Sequence, residues 1–418
     1  MRRWIGLAVA GCVLVVTPLV VRTLGIVKPG NPGDEQSEEL AKVSQKGFTK
    51  EVDPPALSGI DLTRPRYDDD GVFAPASGER TAKLTLDKDL QQLAERVLKQ
   101  AEIPEVAVVM QDTRTGRLLV YASQTRPGHA RDLVVEASAP AASVFKIVTG
   151  SALVEHAHLT PDTKQCYWGG EHKLEAANLE ENPKKDKWCA TVAEAMGRSL
   201  NTVFARLSLK HLDQDKLGRT AKALGFGDPI PFDVDVSPNT IALPEDRVGF
   251  ARTSAGFWNT TLSPLGAVTL VTTIANKGQM LRPVVVDWVK DGRETIHKGS
   301  SRQVLSRAES PEVAAAVTRM MEATVSDGTS FKAFHDGSGR EYIPGVSIAG
   351  KTGTLTKQQT DQFFTWFVGF APSQKPEIAI AVLAINKSTW KTKANTVARQ
   401  MLQGYFAKQG QAGVKPPM

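Results

Sequence analysis

Ser143-Val144-Phe145-Lys146 sets a hydroxyl and an amine three residues apart, which on a helix places them on one face. The neighbours Val144, Phe145, Ile147, Val148, Leu153 and Val154 make that helix apolar on nearly every side, so it reads as buried. A lysine in such surroundings is costly unless it has a partner or a task. Desolvation lowers its pKa, and the neutral amine can then accept a proton from the neighbouring hydroxyl. The start of the same helix offers free N–H groups close to Ser143, where negative charge would develop. The pattern predicts a serine nucleophile with an amine base.

Taken alone the spacing is weak, since Ser388-Thr389-Trp390-Lys391 repeats it in a polar stretch that reads as a loop. Ser199-Leu200-Asn201 likewise has an echo in Ser237-Pro238-Asn239, which Pro238 and its flanks make a turn. Lys351-Thr352-Gly353 occurs once. The informative feature is the set, Ser-x-x-Lys, Ser-x-Asn and Lys-Thr-Gly, in that order along the chain.

In this set the chain resembles the transpeptidase domain of penicillin-binding proteins. The wider sequence is similar too: Leu84-Thr85-Leu86-Asp87 with Leu90-Gln91, Ile274-Ala275-Asn276-Lys277-Gly278, Gly328-Thr329, and Trp366-Phe367-Val368-Gly369-Phe370-Ala371-Pro372. The likeness covers about residues 81–407, with Ala141-Ala142 where a glycine often precedes the serine. It implies that Ser143 attacks the D-Ala-D-Ala carbonyl of a peptidoglycan stem peptide with Lys146 as base, and that Ser199 relays a proton to the leaving D-Ala. Asn201 would hydrogen-bond the substrate's amide. Lys351, Thr352 and Thr354 would hold its terminal carboxylate, Gly353 leaving room for the approach. The oxyanion would sit between the backbone N–H groups of Ser143 and Thr354. No cofactor or metal is implied.

Other readings compete. Gly345-Val346-Ser347-Ile348-Ala349-Gly350-Lys351-Thr352 fits the phosphate-loop pattern letter for letter, but that loop needs a helix after its Lys-Thr. Gly353 and a β-rich run follow instead, and the Val-Ser-Ile-Ala between the glycines reads as strand. A Ser-His-Asp hydrolase lacks its Gly-x-Ser-x-Gly elbow near any of the seven histidines. A class A β-lactamase needs a downstream glutamate, whereas the acids between Leu207 and Ala242 are Asp213, Asp215, Asp228, Asp233 and Asp235. D,D-carboxypeptidases share the same motifs. A non-catalytic β-lactam or muropeptide sensor, or a scaffold, would not need the intact set.

The elements that must position these residues are legible in outline. Residues 87–98 repeat Leu90, Leu93, Ala94, Val97 and Leu98 at helical spacing behind Asp87, a capping residue. Strand patterns occupy 106–112 and 117–123, joined by the turn Thr113-Arg114-Thr115-Gly116, and recur at 346–349, 363–370 and 378–385. Helices are expected over 143–156, 190–207 and 264–275, with a last amphipathic one carrying Val397, Met401 and Tyr405. Strands at both ends with helices between predict an α+β fold: a central, mainly antiparallel sheet flanked by helices, with an inserted all-helical subdomain and a cleft between the parts.

Ahead of the domain, Arg2 and Arg3 precede an uncharged stretch over residues 4–21. Its length and basic flank suit a single membrane span with the rest outside the cytoplasm. A cleaved signal peptide, or lipidation at Cys12 in Val9-Ala10-Gly11-Cys12, are the alternatives. The expected order is a 1–22 anchor or signal, a Pro- and Gly-rich linker over 23–80, the catalytic domain over 81–407 and a tail over 408–418. That order leaves no room for a glycosyltransferase, which would then be a separate partner. In an oxidising compartment Cys166 and Cys189 are candidates for a disulfide, and their spacing with His172 matches no zinc pattern. The net charge of +6 is spread over 51 basic and 45 acidic residues without long runs, which argues against a nucleic-acid partner.

Overall fold

The computed structural model describes residues 55–417, apart from 129–130, 171–172, 301 and 388–391. The expected anchor, Cys12, most of the expected linker, His172 and the second Ser-x-x-Lys lie outside these residues. Among the described residues, no helix is long and apolar enough to cross a membrane.

Five strands form the central sheet: β1 (Glu105–Asp112), β2 (Leu118–Gln124), β3 (Ala349–Lys357), β4 (Gln362–Ala371) and β5 (Ile378–Asn386), in the order β3-β4-β5-β1-β2. Every neighbouring pair is antiparallel. All nine residues of β5 are buried, because both faces of the sheet are covered. The helices that matter for the site are α1 (Lys88–Ala101), α2 (Lys146–Ala157), α3 (Val192–Arg198), α4 (Asn201–His211), α5 (Pro264–Ala275) and α6 (Ala394–Lys408). Val106, Val108 and Met110 pack with α1 and α6, and Ala107 and Val109 share a second core with α2 and α5. Asp87 caps α1, accepting from the N–H groups of Asp89 and Leu90. In the intervening region helices dominate, with short two- and three-stranded ladders among them.

Several elements differ from their expected form. Residues 55–80 are not all linker: Arg66–Asp68 and Gly71–Pro75 pair in an antiparallel ladder with Thr81–Leu84, Val286–Asp291 and Glu294–Lys298. The strands are too short to show a period, and only through Thr81–Leu84 do they reach Val286–Asp291, some two hundred residues further on. The folded part therefore starts before residue 81. At the other end Gln403 Nε2 donates to Lys415 O (2.6 Å) and Val414 packs against the core, so the tail folds back. Residues 346–348 are irregular, and the strand instead begins at Ala349 and runs through Lys351-Thr352-Gly353. The helix expected over 190–207 is two helices, broken where Ser199 adopts a left-handed conformation (φ 59°). Ser237-Pro238-Asn239 is no simple turn, since the buried Asn239 accepts from Ser263 N (2.9 Å) and so supports the cap of α5.

Cys166 and Cys189 face each other on paired strands Lys164–Tyr167 and Trp188–Thr191 and are joined as a disulfide. The bridge closes a loop with a sequence separation of 23, for which chain entropy predicts a contribution of about 3 kcal/mol. Replacing both cysteines by serine is expected to lower the melting temperature by several degrees. Unchanged melting would show that the loop is held by its hydrogen bonds alone.

Candidate active site

The nucleophile candidate sits at a turn. Ala142–Phe145 forms a short 3-10 segment that runs into α2, and Ala142 takes φ 50°, a conformation costly for a residue with a Cβ. Gly256 (φ 83°) lies against it: a Cβ there would fall 2.4 Å from Ala142 O and 2.8 Å from Ser143 Cα, which only glycine avoids. The turn therefore needs a bare backbone beside it, supplied by the end of the helix Arg247–Ser254. Nothing in the residues Ser254-Ala255-Gly256 announces this role.

Lys146 is fully buried, and its Nζ lies 2.9 Å from Ser143 Oγ and 2.7 Å from Asn201 Oδ1. It also donates to Ala255 O, beside the glycine just described. Burial, and then the positive charge of Lys351, hold the Lys146 amine well below its ordinary range. The apolar surroundings that make a lysine costly in this helix also favour its neutral form.

The break between α3 and α4 delivers the second motif. With Ser199 left-handed at the end of α3, Leu200 N returns to Ala195 O (2.9 Å) and α4 restarts at Asn201. A continuous helix would place Ser199 and Asn201 on different faces, and the break turns both into the cleft. Lys351 on β3 donates to Ser199 Oγ (3.0 Å) and to Thr352 O (2.7 Å). It too is fully buried, and burial brings its pKa down to about 7. Thr352 Oγ1 is 2.7 Å from Thr329 Oγ1, which in turn donates to Gly197 O (3.2 Å) and so ties the strand to α3.

β3 is the edge strand, pairing on one side with β4 and facing the nucleophile turn on the other. A Cβ on Gly353 would come within 3.3 Å of Ala141 O and 3.2 Å of Trp366 Cβ, so glycine permits the strand to pass the turn. Trp366 Nε1 donates to Pro140 O (2.9 Å), pinning β4 to the residues ahead of the nucleophile. Thr354 is exposed at the cleft. The cleft measures about 860 Å³ and is lined among others by Ser143, Ser199, Asn201, Trp258, Thr352 and Thr354. The seven named residues of the three motifs, with Thr354 beside them, thus converge on one place. Ala255, Gly256, Thr329 and Trp366 join them, and of these only Thr329 and Trp366 stand in segments singled out from the sequence.

A buried amine beside a serine, a second serine–lysine pair opposite and an open edge strand between them are an arrangement suited to serine acyl transfer on an α+β scaffold. The model of the penicillin binding protein transpeptidase domain matches residues 106–403, and the chain belongs to this family. It is 32% identical over 257 residues to the peptidoglycan D,D-transpeptidase PbpA of Mycobacterium tuberculosis, an alignment covering 59% of this chain and 50% of that protein. The chain spans about half the length of the curated relatives it matches. Its fold matches the D,D-transpeptidase domain of a peptidoglycan glycosyltransferase from Eggerthella lenta, at TM-score 0.66 and 26% identity, covering 79% of this chain and 83% of that one. It likewise matches penicillin-binding protein A from M. tuberculosis in an imipenem acyl-enzyme complex, at TM-score 0.60 and 25% identity, covering 77% and 79%. A phosphate loop is not formed by Gly345 to Thr352, since Lys351 and Thr352 lie within β3 and no helix follows them.

Proposed function

We propose that this chain is a penicillin-sensitive D,D-transpeptidase that cross-links peptidoglycan stem peptides outside the cytoplasm, through an acyl-enzyme on Ser143. The observation that carries this reading is the pairing of a fully buried Lys146 Nζ with Ser143 Oγ at 2.9 Å. With its pKa depressed, Lys146 takes the serine proton as Oγ attacks the penultimate D-Ala carbonyl. Ser199, held by Lys351, returns a proton to the nitrogen of the departing D-Ala. Lys351, Thr352 and Thr354 bind the terminal carboxylate, and the donor backbone adds to the free edge of β3. Asn201 bonds the substrate's amide. The oxyanion is received by the Ser143 and Thr354 N–H groups. An acceptor amine on a second stem peptide then takes the acyl group. The imipenem acyl-enzyme of the mycobacterial protein supports this chemistry. The residues ahead of the domain would anchor the chain in the membrane, with glycan polymerisation left to a separate enzyme.

The direct test is incubation with a fluorescent penicillin and with a D-Ala-D-Ala peptide. Covalent labelling and release of D-Ala are expected, and a protein that does neither is not this enzyme. A β-lactamase is the specific alternative, and its mark would be fast loss of the label. No glutamate stands in the described cleft lining to activate water on the acyl-enzyme. The lactam's amine stays tethered and blocks the approach a nucleophile would use. The penicilloyl adduct should therefore persist for minutes to hours by intact mass once free drug is removed. Recovery of unmodified protein within seconds, with steady drug hydrolysis, would reassign it.

The two buried lysines set the pH dependence. Acylation in the free enzyme requires Lys146 neutral and Lys351 charged, so the rate should rise as Lys146 loses its proton and fall as pH passes about 7 through Lys351. Lys351→Met removes a positive neighbour of Lys146, which raises the Lys146 pKa and moves the ascending limb to higher pH. A limb that stays in place, or moves to lower pH, contradicts this coupling.

A further inference from the structure

Arg206 is on α4, five residues beyond Asn201, and is 4% exposed. Its Nε donates to Asn178 O (2.7 Å), its Nη2 to Glu180 O (2.6 Å), and its Nη1 to both Cys166 O and Asp186 Oδ2 (2.9 Å each). All four acceptors belong to the span closed by the Cys166–Cys189 disulfide. A guanidinium offers five N–H donors in a rigid fork, so it can bond three backbone carbonyls and a carboxylate at once, and those bonds offset its burial. One side chain thus ties residues 166, 178, 180 and 186 of the disulfide loop to α4.

The loop in turn grips the beginning of the same helix. Thr202 Oγ1 donates to Gly169 O (2.7 Å), and Asn201 Nδ2 donates to Gly170 O (3.3 Å). A Cβ on Gly170 would fall 2.0 Å from Thr202 Oγ1, so loop and helix touch backbone to side chain there. The Gly170 carbonyl faces the amide nitrogen of Asn201, which leaves Oδ1 toward Lys146 Nζ at 2.7 Å. A carboxamide turned the other way would set its NH2 against the lysine and lose both bonds.

We infer that Arg206 is the positioning residue for Asn201: by seating the disulfide loop on α4 it fixes the Gly170 carbonyl, which decides which end of the Asn201 amide meets Lys146. The inference rests on the proposed acylation of Ser143 and adds to it a residue that touches neither substrate nor nucleophile.

A double-mutant cycle on the rate of acylation by a fluorescent penicillin, read across pH, tests it. Arg206→Lys keeps the charge but not the fork. It should slow acylation by about tenfold, and less than about twofold when Asn201 is already alanine, since residues in one network are not additive. The ascending limb should also move to lower pH in Arg206→Lys and in Asn201→Ala alike. Oδ1 stabilises the protonated lysine and its loss lowers that pKa, while Lys351, the other charged group acting on Lys146, is unchanged. Where Arg206→Lys does not fold, Asp186→Asn, which loosens the clamp from the loop side, should show the same non-additivity with Asn201→Ala at smaller amplitude. Equal slowing with and without Asn201, a wild-type rate in Arg206→Lys, or a limb that does not move overturns the inference while leaving the acyltransferase reading in place. A wild-type protein that is never acylated overturns both.

Discussion

Ser143→Ala should abolish covalent labelling by a fluorescent penicillin and leave no adduct in the intact mass. The loss should be complete, because the methyl group cannot form the ester and no other hydroxyl holds the same place. Ser199 is the nearest rival among the described cleft residues, but its Oγ accepts from Lys351 rather than lying beside Lys146. The substitution removes one oxygen from a half-buried position and leaves Lys146 bonded to Asn201 and Ala255, so folding and melting should change little. Labelling that survives in the variant would place the nucleophile elsewhere and dissolve the mechanism above.

Lys146→Met should retain the nucleophile and lose its base. General-base removal of this kind typically costs between about 10² and 10⁴ in rate, and the upper part of that range is expected because no other described group lies within reach of Ser143 Oγ to take the proton. Methionine fills a similar volume without charge, though it removes the bonds that Lys146 makes to Asn201 Oδ1 and Ala255 O. Acylation should become slow and lose its ascending limb, since that limb belongs to the missing amine. Slow labelling that still rises over the same pH range would show that another group titrates there. Together the two variants separate the nucleophile, whose loss is absolute, from the base, whose loss is graded.

How much of this was legible beforehand depends on the range over which each signal acts. The helix α1, its capping Asp87, the hairpin of β1 and β2 and the strands β4 and β5 rest on local periodicity and turn chemistry, and each appears close to its expected place, whereas β3 is displaced toward the C-terminus from the expected 346–349. The three motifs were legible as an ordered set, with Lys146 in an otherwise apolar helix as the local anomaly among them. Even so, the phosphate-loop pattern at 345–352 and the second Ser-x-x-Lys show how little a short string specifies by itself.

The nucleophilic pair, the order of the motifs and the α+β class followed from the order of residues alone, since spacing on a helix and alternation along strands are properties of neighbours. Tertiary structure decided the rest. Within 190–207, Gly197, Ser199, Asn201 and Thr202 are weak helix formers that permit a break without fixing its place, and the left-handed residue is held at 199 by packing and by the return of Leu200 N to Ala195 O. Gly256 beneath the serine, Thr329 under the edge strand and Arg206 behind Asn201 sit 113, 23 and 5 residues from the groups they serve (256 − 143, 352 − 329 and 206 − 201). In the first two cases the contact is made by a fold that brings distant backbone together, and in the third by a loop stapled forty residues upstream at Cys166. Local periodicity carries no record of such contacts, because they arise only once the sheet has closed over the helices and the chain's far parts share one core.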